Sequence, residues 1–161
     1  MGDRSVSSVV VKTRYEPGLL AVYGSLKPGG PAYEDFLEFA ENTGRGHLLP
    51  GFTDAGVDGT CTVTATLYDR GRYPGVRIGA GVTRVHLMHV ADEATWRLID
   101  DYEDADRVGL PSEYARVRIE VTVDGAEPGA HVQAWIYEVV DPIDHEPVVA
   151  HGDWGKHVDE R

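Results

Sequence analysis

A chain of 161 residues, 42% hydrophobic and 26% charged, has the size and composition of one globular domain around one sizeable core. Its net charge of −12 argues against a nucleic-acid groove or an anionic membrane surface, both of which attract clustered Lys and Arg, so a small molecule is the expected partner. Cys61 is the only cysteine, which excludes an internal disulfide and a thiolate metal cluster. No stretch has the composition of a secretory leader, a myristoylation motif or a membrane span, so a cytoplasmic, unanchored protein is expected.

Residues 1–17 are polar and weakly patterned and read as a lead-in or an edge strand. The core is expected over about residues 19–140, with 141–161 as a tail wrapping the surface, all within one domain. Residues 19–23 form an apolar run ending in Gly24-Ser25, and Lys27-Pro28-Gly29-Gly30-Pro31 is a dense cluster of breakers, so a strand runs into a loop. Tyr33, Phe36, Leu37 and Ala40 then recur at helical spacing, with Asn42 and Gly44 suited to the exit. Cys61, Val63, Ala65 and Leu67 alternate with Thr62, Thr64, Thr66 and Tyr68, the period of a half-buried strand.

Residues 69–75 read as a turn and residues 82–90 as a further strand. Asp92 is suited to cap a helix in which Trp96, Ile99 and Glu103 share a stripe widened by Leu98 and Tyr102. Ala115, Val117, Ile119, Val121 and Val123 alternate with Arg116, Arg118, Glu120 and Thr122, and residues 132–139 supply the partner of an antiparallel hairpin. This order predicts an α+β fold whose mixed or antiparallel sheet curls into a small barrel with flanking helices.

The glycine loop fails the known phosphate-binding and hydrolase spacings. Gly24 and Gly29 are separated as in a P-loop, but Gly30 and Pro31 stand where Lys and Ser or Thr should follow. Only one glycine precedes the helix where a dinucleotide fingerprint needs two, and Leu26-Lys27 breaks a serine-hydrolase elbow. What remains is a tight turn with backbone N–H groups, the Ser25 hydroxyl and the Tyr23 phenol, suited to a carboxylate or a developing oxyanion. The alternative is an ordinary β-turn in which Gly24 meets a backbone requirement.

The acidic stretch Asp100-Asp101-Tyr102-Glu103-Asp104-Ala105-Asp106 is the second candidate. A solvated helix end is the plain reading, although carboxylates there oppose the helix dipole. The register places Asp100, Asp101 and Asp104 on the more exposed side and Glu103 on the buried stripe. Burial and like charges then raise its pKa and suit it to act as a general base. No metal site is expected, since the calcium-loop spacing is absent and the seven histidines show no ligand spacing. Cys61 reads as an inert buried thiol, and Trp96 and Trp135 as core.

Val22-Tyr23-Gly24-Ser25-Leu26, Tyr68 with Tyr73-Pro74-Gly75, Leu98-Ile99-Asp100-Asp101-Tyr102-Glu103, Tyr114-Ala115-Arg116 and Ala134-Trp135-Ile136-Tyr137 occur in one order over about residues 19–140. Together they resemble the γ-glutamyl cyclotransferase-like (AIG2-like) family, and the ending Gly152-Asp153-Trp154 is similar to that of small bacterial members. The resemblance implies a compact mixed fold with a small barrel, Tyr23, Gly24, Ser25 and Leu26 binding a γ-glutamyl group, and Glu103 acting as acid/base without a cofactor. Asp104 stands where many relatives have glycine, followed by a longer acidic insertion up to Ser112, which bears on loop shape and substrate identity. Tyr114 either lines the pocket or is a packing residue at a strand start.

The implied reaction is attack of the substrate's α-amine on its own γ-carbonyl, giving 5-oxoproline and a free amine. Proximity supplies much of such a rate. Moving a proton from an amine near 8 to an ordinary glutamate near 4.3 would cost about 5 kcal/mol, so Glu103 needs a raised pKa. The alternatives are acyl transfer with a different amine or acceptor, and a non-catalytic binding module on the same fold.

Overall fold

Six strands of one mixed sheet are present in the computed structural model, which describes residues 14–24, 26–27, 29–57, 59–71, 73–105, 112–125, 130–141 and 145–160. They are β1 (Gly18–Val22), β2 (Phe52–Asp54), β3 (Thr60–Asp69), β4 (Pro74–Val90), β5 (Tyr114–Asp124) and β6 (Ala130–Val139). Their order is β1-β6-β5-β3-β4-β2, and β1 also pairs with β4, so five strands close a ring and β2 extends it from β4. Only β1 and β6 run parallel. The expected α+β barrel is thus the observed architecture.

The alternating sequences decide what fills the ring. Ala21, Val63, Ala65, Leu87, Val121 and Ile136, drawn from all five ring strands, belong to one buried cluster. Neighbours of opposite parity, such as Leu20, Val22, Met88 and Trp135, belong to a second cluster beneath the helices. Those helices are α1 (Pro31–Asn42), with Pro31 in its first turn, a 3-10 turn (Gly46–Gly51), and α2 (Glu93–Tyr102). Asp92 caps α2 as expected, its side chain accepting the Thr95 N–H at 2.9 Å. Phe36 of α1 meets both Phe52 and Tyr102 edge-on at 5.3 Å between ring centroids, which seats α1 against the end of α2.

Two expectations are corrected. The strand expected over 82–90 begins at Pro74, so Pro74 and Gly75, read as the end of a turn, already belong to β4. Val63 pairs with Thr83 while Ala65 pairs with Ile78, so extra residues bulge out of β4 between them. Gly79 and Gly81 occupy positive φ there (129° and 85°), which breaks the two-residue period that would have revealed the strand.

The tail, in turn, does more than wrap the surface. β3 pairs with β5 only through residues 60–62, and beyond that its free edge is met by the tail. Val149 N–H donates to the Leu67 carbonyl and Asp69 N–H to the Pro147 carbonyl, each at 2.8 Å. Val149 and Trp154, the latter opening α3 (Trp154–Asp159), are buried in the barrel cluster. Among the described residues no helix is long and apolar enough to cross a membrane.

Candidate active site

At one end of the ring, where β1 and β6 finish and β4 and β5 begin, the strands splay around a cavity of about 610 Å³. The exit of β1 brings Tyr23 and Gly24 to it, β6 brings Tyr137, and the end of α2 brings Tyr102 and Glu103. Pro74 and Tyr114, the first residues of β4 and β5, close the opposite side.

The loop leaving β1 is held by packing and by one strong hydrogen bond. The Tyr23 phenol donates to the Tyr137 carbonyl at 2.6 Å. A Cβ on Gly24 would stand 3.0 Å from Pro74 Cγ, so glycine here answers a close approach rather than a left-handed backbone. This contact also explains why the β1 exit and the Tyr73-Pro74-Gly75 segment occur together in the sequence. Leu26 is buried beneath the loop and lines the cavity, while Ser25 lies outside the described residues. Tyr114 both lines the cavity and packs, since it is buried and its hydroxyl donates to the Pro74 carbonyl at 3.3 Å.

Glu103 occupies the C-cap of α2, its N–H bonded to the Ile99 carbonyl at 2.9 Å. The next residue, Asp104, has φ of 55°, the left-handed conformation that glycine adopts freely and aspartate tolerates. The chain therefore turns away immediately after Glu103, leaving its half-buried side chain at the cavity wall. Burial, then the charges of Glu113 and Asp100, push its carboxyl from 4.5 up to about 7. Burial likewise raises Tyr23, Tyr114 and Tyr137, so at neutral pH the phenols around the cavity remain hydrogen-bond donors. Among the described residues no side chain donates a hydrogen bond to the Glu103 carboxylate.

The expectation that Asp100 is exposed is overturned. Arg116 Nε and Nη2 donate to its two oxygens at 2.8 and 3.3 Å, and the Tyr137 hydroxyl donates to Oδ1 at 2.7 Å. The guanidinium lies 4.1 Å from the Trp96 ring centroid and 4.7 Å from that of Trp135. Asp101 is exposed as expected and reaches Arg45 at 2.6 Å, whereas Asp104 is half-buried. Arg116 was the missing signal: its place on the polar side of β5 concealed that α2 covers that side at the start of the strand.

The rim carries a further polar group that spacing alone did not reveal. Arg70, in the turn between β3 and β4, reaches Glu113 at 3.4 Å and Glu146 at 3.3 Å, and the Tyr73 hydroxyl donates to Glu113 at 2.9 Å. Cys61 is buried within the barrel, where desolvation raises its thiol, consistent with an inert structural residue. Among the described residues no group of three or more His, Cys, Asp or Glu is placed to hold a metal ion.

Comparison with known proteins converges on one family. Residues 20–156 match the family described as Gamma-glutamyl cyclotransferase, AIG2-like. An AIG2-like protein from Mus musculus superposes with a TM-score of 0.61 at 25% identity, over 86% of this chain and 88% of its own. The protein ytfP from Escherichia coli does so with a TM-score of 0.53 at 25% identity, over 87% and 98%. The uncharacterized protein PH0828 from Pyrococcus horikoshii shares the fold at 19% identity, with a TM-score of 0.55 over 89% and 94%. No curated protein sequence matches at a significant level. Because the family match spans most of its length, the chain belongs to the gamma-glutamyl cyclotransferase, AIG2-like family.

Proposed function

We propose that this chain cyclises a γ-glutamyl amide to 5-oxoproline and releases the free amine, with Glu103 as the acid/base. The observation that carries the reading is the Glu103 carboxyl, raised to about 7 at the wall of a tyrosine-lined cavity and facing the loop of Tyr23 and Gly24. The reaction is an isomer balance. The α-nitrogen bonds to the γ-carbon, the bond from that carbon to the leaving nitrogen breaks, and the two protons that the α-ammonium loses in becoming the lactam N–H both end on the leaving nitrogen, which departs as an ammonium.

Glu103 takes these protons one at a time and returns each to the leaving nitrogen. Against an amine near 8, a carboxyl near 7 leaves a gap of about one unit, so the uphill transfer falls from about 5 to about 1.4 kcal/mol. The cavity holds the substrate folded on itself, which makes the attack intramolecular. Backbone N–H groups of the turn beginning at Gly24 steady the substrate carboxylate or the oxyanion. Asp35 and Glu113 also border the cavity, so an amine without a carboxylate suits the leaving-group side better than an anionic one.

The test is to incubate the protein with γ-glutamyl amines, γ-glutamyl amino acids and γ-glutamyl-acylated cationic amines and to assay 5-oxoproline. Turnover of the amines, with weaker turnover of the amino acids, is expected. Binding without 5-oxoproline across the whole panel would establish a binding module instead.

A further inference from the structure

Of the buried cluster of Asp100, Arg116 and Tyr137, only Tyr137 lines the cavity, and the reaction above does not use the cluster. We propose that Asp100, gripped by Arg116 and Tyr137, is the positioning residue that sets Glu103 and the Tyr23 loop in register with one another. This inference rests on Glu103 being the acid/base.

Three connections converge on Asp100. Its carboxylate takes two hydrogen bonds from Arg116 on β5, which fixes the end of α2 across the strand. Its Oδ1 also accepts from the Tyr137 hydroxyl, and the backbone carbonyl of that same tyrosine accepts from the Tyr23 phenol. Its own carbonyl accepts the Ala105 N–H at 2.9 Å, closing the turn that carries Glu103, and Ala105 in turn bridges to Tyr114. One residue thereby ties together the helix end, the cradle strand and the far wall.

A well-packed apolar replacement of a buried ion pair is often as stable as the pair itself. Stability alone therefore does not account for placing a fully buried guanidinium between two tryptophans. Fixing geometry beside a reacting group does. Asp100 and Glu103, three residues apart on one helix face, are also close enough to interact as charges. Glu103 is faced by Tyr23 from β1, Asp100 and Tyr102 from α2, Glu113 and Tyr114 at the start of β5, and Tyr137 from β6. Asp35 of α1 borders the same cavity, and Arg70 acts on Tyr23 and Tyr114. Asp100 acts on Glu103 as a like charge.

The experiment is a carbon-13 NMR titration of the Glu103 carboxyl, assigned by its loss in Glu103→Gln, alongside kcat and KM against pH. It compares the natural protein, Asp100→Asn, and the charge-neutral pair Asp100→Asn with Arg116→Met. In Asp100→Asn the Glu103 midpoint falls by several tenths of a unit to about one unit, and in the double variant, where a cation leaves with the carboxylate, it moves less. The acid limb of kcat/KM moves down with it, and kcat drops by about tenfold or more. A folded double variant with natural kcat overturns the proposal, because a merely structural pair would change stability alone.

If neither charge variant folds, Tyr137→Phe decides. It removes one hydroxyl, and a natural kcat there overturns the proposal while a loss of several-fold supports it. A natural protein that forms no 5-oxoproline overturns the enzymatic reading, and the titration, which needs no turnover, then still reads the effect of Asp100 on Glu103. An active natural protein whose double variant keeps the natural kcat overturns the positioning role and leaves the enzymatic reading standing.

Discussion

Asp100 in the last turn of α2 and Glu103 at its C-cap lie three residues apart, the first buried and the second half-buried, and their surroundings treat them oppositely. Asp100 sits in a pocket of donors, with two hydrogen bonds from Arg116 and one from Tyr137, so its charge is matched where it stands. Glu103 sits among tyrosines and near two other carboxylates, and burial raises it to about 7. A buried carboxylate that is fully partnered becomes a structural anchor, whereas one left with like charges is pushed toward its protonated form. The same helix turn supplies both because their partners differ: β5 offers an arginine to the first, and among the described residues no side chain donates a hydrogen bond to the second.

The comparison can be broken most sharply at Glu103. Glu103→Gln keeps the shape and removes the titrating group, and kcat for 5-oxoproline formation should fall by about 10²- to 10⁴-fold. Activity near that of the natural protein would end the assignment.

Next in size, Arg116→Met alone leaves Asp100 buried without its cation. Urea denaturation should show a loss of about 3–5 kcal/mol, most of it recovered when Asp100→Asn is added. If the single change costs nothing, the anchor reading of Asp100 is wrong.

A subtler effect concerns stability against pH. The Glu103 carboxyl binds its proton more tightly folded than unfolded. Between about 4.5 and about 7 the folded state therefore holds more protons, and its contribution to stability falls as pH rises. Glu103→Gln should accordingly be more stable than the natural protein near pH 8, on the order of 2 kcal/mol, with the gap vanishing near pH 4. Thermal melts at the two pH values test this, and equal differences at both would contradict the raised carboxyl.

The smallest effect sharpens the contrast from outside. Asp101 is exposed in its pair with Arg45, so Asp101→Asn should cost less than about 1 kcal/mol in urea and leave kcat unchanged.

Much of this site was legible in the chain before folding was known. The stripe of Trp96, Ile99 and Glu103 placed Glu103 on the inner side of its helix, and the apolar run into Gly24 placed the Tyr23 loop at a strand exit. Asp100 was misplaced because helical spacing says which residues share a face but not what packs on that face. Arg116 read as the solvent side of an alternating strand, and only α2 lying over the start of β5 turned it inward. The first half of β4 was hidden by its own glycines at 79 and 81, which interrupt a period that the strand on either side obeys. The tail carried too little periodicity to show that Val149 and Trp154 would be buried, since their place depends on the unpaired edge of β3.

By itself, then, the sequence determined the elements and their inner faces, because apolar periodicity and capping are local properties carried by neighbouring residues. It also determined Glu103 as a carboxylate with unusual surroundings. What only the tertiary structure decided was how charges are matched across the fold: that Asp100 meets Arg116 and Tyr137, and that Glu103 opens onto the loop of Tyr23. Partners separated by 16 and 37 positions in the chain meet only when the ring closes, so their compensation cannot be read from spacing along one element.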